Sequence, residues 1–74
     1  MIWMKIMKYK TVKFAIGKDI DGTYWVNFDC VKQRHVMELE DWWYRLYDIP
    51  YTNKEKIIKA TKSCINHYFV LKDN

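Results

Sequence analysis

Two short runs of strict alternation, joined by a turn-forming segment, constrain this chain more than any other feature. From Tyr9 to Ile16, Val12, Phe14 and Ile16 fall on one side and Thr11, Lys13 and Ala15 on the other. From Thr23 to Cys30, Tyr24, Val26, Phe28 and Cys30 alternate with Trp25, Asn27 and Asp29. A period of two assigns each set to one face of a half-buried strand. Between the runs, Gly17 to Gly22 carries Asp19 and an Asp21-Gly22 step, and Asp-Gly tolerates the positive φ that tight connections require. The pattern predicts a β-hairpin whose core face is Val12, Phe14, Ile16, Tyr24, Val26 and Phe28, with Trp25 on the opposite face beside Lys13.

A lone hairpin is marginal in water, so the rest of the chain must cover it. Between His35 and Tyr47 the apolar residues are Val36, Leu39, Trp43, Leu46 and Tyr47, and steps of three and four mean an amphipathic helix. Glu38, Asp41 and Arg45 lie on its other face, with Asp41 and Arg45 at the i,i+4 spacing of an ion pair, while Trp42 and Tyr44 flank the apolar stripe. Asp48-Ile49-Pro50 ends this helix, because the residue before proline is pushed out of the α region. Thr52, with Glu55 three residues on, forms a capping box for a second helix. Its stripe is Ile57, Ile58, Thr61, Cys64, Ile65 and Tyr68, and Lys56, Lys59 and Lys62 run along the opposite side. The helix is expected to end near His67. Tyr68 to Leu71 continue the stripe but are also strong β-formers, the alternative being a short last strand.

Residues 1–74 are expected to make a single α+β domain: a small antiparallel sheet, the β-hairpin plus one or two further strands, packed on two α-helices. The further strand is drawn from Ile2 to Met7 or from Tyr68 to Leu71. Met1, Met4 and Met7 are three candidate starts, and residues 1–6 are read as a frayed N-terminal extension.

With 4 Trp, 6 Tyr and 3 Phe against 2 Gly and 1 Pro, the chain is neither a linker nor a disordered tail. So many rings exceed what a small domain hides, which implies an aromatic surface at a partner or a homodimer interface. Two cysteines are sparse for a secreted disulfide framework, the apolar N-terminus lacks the run and cleavage site of a signal peptide, and no stretch approaches a membrane span. A cytoplasmic protein with no membrane contact is expected, in the host cell cytoplasm if the gene is a phage's. The net charge of +4 is unevenly spread. Residues 1–13 hold four lysines and no acid, residues 35–52 carry four acids against Arg45, and residues 53–74 hold five lysines against Glu55 and Asp73.

The basic N-terminal segment, with Lys5, Lys8, Lys10 and Lys13 among Trp3, Tyr9 and Trp25, has the ingredients of a nucleic-acid surface: phosphate neutralisation and stacking rings. The competing reading is a solvated lysine face, since Arg, the better base reader, occurs only twice. Cys30 with His35, and Cys64 with His67, supply two soft-ligand pairs that could in principle make a tetrahedral zinc site. Neither pair sits on a Gly- or Pro-containing knuckle, so no metal is expected, with Cys64 read as a small core hydrophobe. No catalytic residue and no cofactor are expected, because a domain this small has little room for a water-excluding pocket and the hairpin turn accounts for Asp19 and Asp21.

The aromatic segment from Leu39 to Leu46, Leu39-Glu40-Asp41-Trp42-Trp43-Tyr44-Arg45-Leu46, resembles one helix of a small phage anti-CRISPR protein, the match resting on Leu39, Glu40, Trp42, Tyr44 and Leu46. The resemblance implies a small sheet carrying two helices and a non-enzymatic inhibitor that docks on a host nucleoprotein complex; it carries over no binding residue. Trp, Tyr and Arg dominate interaction hot spots, so the expected partner-binding residues are Trp25, Trp42, Tyr44 and Arg45 together with the lysines Lys8, Lys10, Lys13, Lys56, Lys59 and Lys62. The expected function is a small binding protein that occludes a surface of a host protein or nucleoprotein complex. The alternative is a nucleic-acid-binding regulator that uses its basic faces directly.

Overall fold

A computed structural model describes residues 3–73 and has the order β1 (Trp3–Tyr9), β2 (Val12–Lys18), β3 (Tyr24–Asn27), α1 (Val36–Leu46) and α2 (Lys54–Asp73). The three strands form one antiparallel sheet in the order β1-β2-β3. The expected hairpin is β2 and β3, with Gly17 opposite Trp25 and Ala15 opposite Asn27. At the turn between them Asp19 N–H donates to the Thr23 carbonyl, the Asp21 carboxylate accepts from both Thr23 N–H and Thr23 Oγ1, and Gly22 takes a φ of 90°. Those bonds to Thr23 hold the Asp21 carboxyl below its ordinary range.

The additional strand is N-terminal. β1 pairs along its whole length with β2, from Trp3 opposite Lys18 to Tyr9 opposite Val12. The alternating run that begins at Tyr9 is therefore interrupted at Lys10-Thr11, a two-residue turn in which Lys10 adopts a φ of 55°. Of the residues read as a frayed extension, Trp3 to Ile6 are paired strand; Met1 and Ile2 lie outside the described residues. Tyr68 to Leu71 belong to α2. Tyr68 keeps the helical spacing of Thr61, Cys64 and Ile65 and is buried with them, and the outer edge of β3 is already met at Tyr24, whose N–H donates to the Tyr51 carbonyl.

One face of the sheet carries the core. Val12, Phe14 and Ile16 of β2, with Phe28 beyond β3, are buried against Leu39 and Trp43 of α1 and Ile57, Cys64, Ile65 and Tyr68 of α2. Tyr24 and Val26, expected in the same core, are half-buried and pack against its rim. Because β3 is an edge strand, its residues have a neighbouring strand on one side only. Leu46, expected on the α1 stripe, is exposed. It stands at the margin of a stripe centred on Val36, Leu39, Trp43 and Tyr47.

The cap of α2 falls one residue later than the Thr52 capping box predicts. Asn53 Oδ1 accepts from Lys56 N–H at 3.1 Å and the Asn53 carbonyl accepts from Ile57 N–H, so Asn53 is the residue that satisfies the free amides of the first turn. Asn53→Ala is expected to cost about 0.5–2 kcal/mol in denaturant unfolding, with Thr52→Ala near neutral; a larger loss at Thr52 than at Asn53 would restore the capping box.

Candidate functional site

Each face of the sheet is set by strand parity. Residues paired directly across an antiparallel ladder share a face, so Met4, Gly17 and Trp25 form one row on the face away from the helices, Ile6, Ala15 and Asn27 a second, and Lys8 and Lys13 a third. Gly17 and Ala15 are buried there, and Trp25 explains how. A methyl group built on Gly17 would overlap the six-membered portion of the Trp25 indole, so the ring lies in contact with bare backbone at that position. Gly17 is thus the residue that lets Trp25 lie down across β2.

At the β3 edge Trp25 enters a groove with residues from two other parts of the chain. Tyr24, Trp25 and Val26 form one wall, Trp43 and Tyr44 of α1 a second, and Asp48, Ile49 and Tyr51 of the connecting segment a third. The connection is fixed by backbone and ring contacts. Tyr24 and Tyr51 form an isolated antiparallel bridge, Tyr51 Oη donates to the Tyr47 carbonyl at 2.7 Å, and Trp43 packs against the rings of both Tyr47 and Tyr51 at 5.9 and 5.8 Å. Burial raises the Tyr51 and Tyr47 hydroxyl pKa values above their ordinary range. On this rigid base the outermost apolar groups are Tyr44, 66% exposed, and Ile49, 60% exposed.

The sequence-expected residues divide accordingly. Trp25 and Tyr44 come together in the groove. Lys8 and Lys13 are register partners on the open sheet face that Trp25 shares, and Lys10 sits in the β1–β2 turn. Trp42 is half-buried, its ring 5.1 Å from that of His67 on α2, and is not among the groove residues. Arg45 pairs with Asp41, Nε to Oδ2 at 3.1 Å, with both side chains largely in solvent, a geometry that contributes little to stability. Lys56 and Lys59 are exposed on α2, whereas Lys62 lies 5.4 Å above the Tyr9 ring, which ties it to β1. Ile49 and Tyr51 were not singled out from sequence. Ile49 stands before Pro50, where it registers only as a helix stop, and Tyr51 belongs to no periodic run.

The four soft ligands are not gathered into a site: among the described residues no group of three or more His, Cys, Asp or Glu side chains is placed to hold a metal ion. Cys30 and Cys64 are free thiols. Cys64 is buried, its Sγ 3.8 Å from the Leu39 carbonyl, and burial pushes its pKa up to about 12, so it is a neutral core group rather than a nucleophile or a thiolate ligand. His35 and His67 each pack against a ring, Tyr68 and Trp42 respectively.

Compared with protein-family models, with curated proteins and with solved structures, the chain matches none. No helix among the described residues is long and apolar enough to cross a membrane.

Two outcomes follow from this geometry. Gly17→Ala should displace the Trp25 indole, shifting tryptophan emission and destabilising the fold by about 1–3 kcal/mol, the usual cost of overpacking; an unchanged melting curve and spectrum would mean the ring does not rest on Gly17. At pH 8 a thiol reagent should label Cys30 in the folded protein and reach Cys64 only on unfolding, so rapid labelling of both in native buffer would contradict the buried neutral thiol.

Proposed function

We propose that this is a small non-enzymatic binding protein that acts by occupying a surface of a larger protein or nucleoprotein complex. The supporting observation is the groove in which Trp25, Tyr44 and Ile49, contributed by a strand, a helix and a connecting segment, present adjoining apolar surface on a base of packed rings. Aromatic anchors held by a rigid scaffold lose little entropy on binding and are the residue types that dominate interaction energies. Lys8 and Lys13, two rows from Trp25 on the same sheet face, add positive charge that would speed encounter with an acidic partner. The resemblance of the Leu39 to Leu46 helix to a phage anti-CRISPR protein fits the same role: an inhibitor encoded by a phage or mobile element, acting in the host cytoplasm by occlusion.

The nucleic-acid reading keeps one supporting observation, that the Lys8–Lys13 pair and Trp25 lie on the same open sheet face. The two readings part on salt dependence. Binding through phosphates weakens steeply between about 50 and 200 mM salt, whereas an aromatic protein interface persists.

In affinity capture from host lysate, the retained partner should be lost with Tyr44→Ala and with Trp25→Ala while Trp42→Ala, whose melting point falls, still retains it in its folded fraction. Tyr44 is largely in solvent, so Tyr44→Ala should leave the melting temperature within about a degree, in line with the small effects of surface substitutions. Undiminished capture by both groove variants would contradict the proposal, and retardation of nucleic-acid probes that vanishes with Lys8→Ala and Lys13→Ala would replace it with the alternative.

A further inference from the structure

The two edges of the sheet are treated differently by the chain. At the β3 edge, Tyr24 N–H is taken by the Tyr51 carbonyl at 2.8 Å. Beyond the end of β3, the Gln33 side chain stands in for a strand. Its Oε1 accepts from Lys13 N–H at 3.0 Å, and its Nε2 donates to the carbonyls of Lys13 at 2.6 Å and Phe28 at 2.7 Å. β1, seven residues long, pairs only with β2.

The same bonds fix which backbone groups of β1 are free. Lys13 directs its N–H and carbonyl toward the β3 side, so its neighbours Val12 and Phe14 direct theirs toward β1, as antiparallel alternation requires. Their register partners Tyr9 and Met7 answer them, and Lys5 and Trp3 follow the same parity. The N–H and carbonyl groups of Met4, Ile6 and Lys8 therefore point outward. No backbone hydrogen bond outside the sheet takes them up among the described residues. The side chains of Met4 and Ile6 are 51% and 50% exposed on the open face. A strand edge with free backbone groups is a template for another strand.

We infer that this edge pairs with β1 of a second copy, antiparallel and centred on Ile6, to make one sheet continuous across a two-fold dimer. The register is chosen by the sequence of the strand. Centred on Ile6, all of Trp3 to Tyr9 is paired. Met4 meets Lys8 of the second copy, Lys5 meets Met7 of the second copy, Trp3 meets Tyr9 of the second copy, and no lysine faces a lysine. Centring on Lys5 sets Lys5 against itself, and like charges directly opposite are destabilising. Centring on Met7 leaves Trp3 unpaired and carries Met4 past the strand end to Lys10. The lysines that would otherwise blunt this edge thus reject the competing registers and leave one open.

The Ile6-centred register also fits the layer above the sheet. Lys54 lies over Trp3 and Lys62 over Tyr9, so the first half of α2 runs in the same direction as β1, and the two-fold relates the α2 helices of both copies antiparallel. Glu55 and Lys62 stand toward opposite ends of one shallow groove along α2, so that the acid of each copy approaches the lysine end of the other. The dimer edge and the Trp25–Tyr44 groove occupy opposite sides of the sheet, leaving both grooves accessible.

Sedimentation equilibrium in reducing buffer tests this. The wild type is expected to shift from monomer to dimer mass across the micromolar range. Ile6→Pro removes an outward N–H without touching the β1–β2 ladder, a placement that edge strands tolerate, and should be monomeric with a native circular dichroism spectrum. Ile6→Lys leaves the backbone intact, sets lysine against lysine at the two-fold, and should raise the dimer dissociation constant at least tenfold. A wild type that stays monomeric to about millimolar concentration overturns the inference. So does a dimer that survives Ile6→Lys unchanged, which would place the interface elsewhere, whether or not Ile6→Pro folds.

Discussion

The central strand must satisfy two layers at once, and the rest of the molecule follows from how it does so. β2 is hydrogen-bonded on both sides and buried on both faces, but with opposite side-chain sizes. Val12, Phe14 and Ile16 on one face fill the space under the helices, where each large apolar side chain contributes about 1.5–3 kcal/mol on burial. Ala15 and Gly17 on the other face leave a shallow trough. Only one side of the sheet is layered with helix, and the trough is closed instead by side chains of the neighbouring strands, Trp25 above all.

That division turns an ordinary two-layer fold into a surface with distinct regions. Trp25, whose indole covers Gly17, also lines the groove at the β3 edge, where Trp43, Tyr47 and Tyr51 form a ring-packed base and Tyr44 and Ile49 are exposed. The β3 edge is met at Tyr24 by the Tyr51 bridge, and the Gln33 amide takes up the Lys13 backbone just beyond the end of β3, so the surface beside the bridge is largely aromatic side chain. The β1 edge is the reverse, with backbone groups exposed and lysines spaced to select a register. A chain of 74 residues has a small core and a large share of surface, and here that surface differs between the two edges, side chain at one and open backbone at the other.

The α+β architecture was legible in the sequence because its signals are periodic. The alternation of Val12, Phe14, Ile16 and the Asp21-Gly22 turn located the hairpin, and the steps of three and four located both helices and every buried residue of α2 from Ile57 to Tyr68. The third strand was less legible because Lys10-Thr11 carries no glycine or asparagine to mark the turn. Lys10 adopts positive φ without the usual sequence sign, so Tyr9 read as the start of one strand rather than the end of another. Trp25 and Tyr44 were legible as surplus aromatics, since neither falls on an apolar stripe. Their meeting was not, because the groove depends on the Tyr24–Tyr51 bridge, a contact between residues whose local patterns are unrelated. Trp42 shows the limit in the other direction. Its flank position on α1 is correct, but the flank faces His67 on α2, a partner that only the helix–helix packing supplies.

The parity of β1 makes its inner amides part of the sheet and leaves its outer amides free, which is what the proposed dimer requires. Residue-resolved amide hydrogen exchange at two protein concentrations measures this directly. In dilute solution Lys5, Met7 and Tyr9 should be slow and Met4, Ile6 and Lys8 fast, and at high concentration the fast set alone should become protected. Uniformly fast exchange along Trp3 to Tyr9, or an outer set whose protection does not change with concentration, would contradict it.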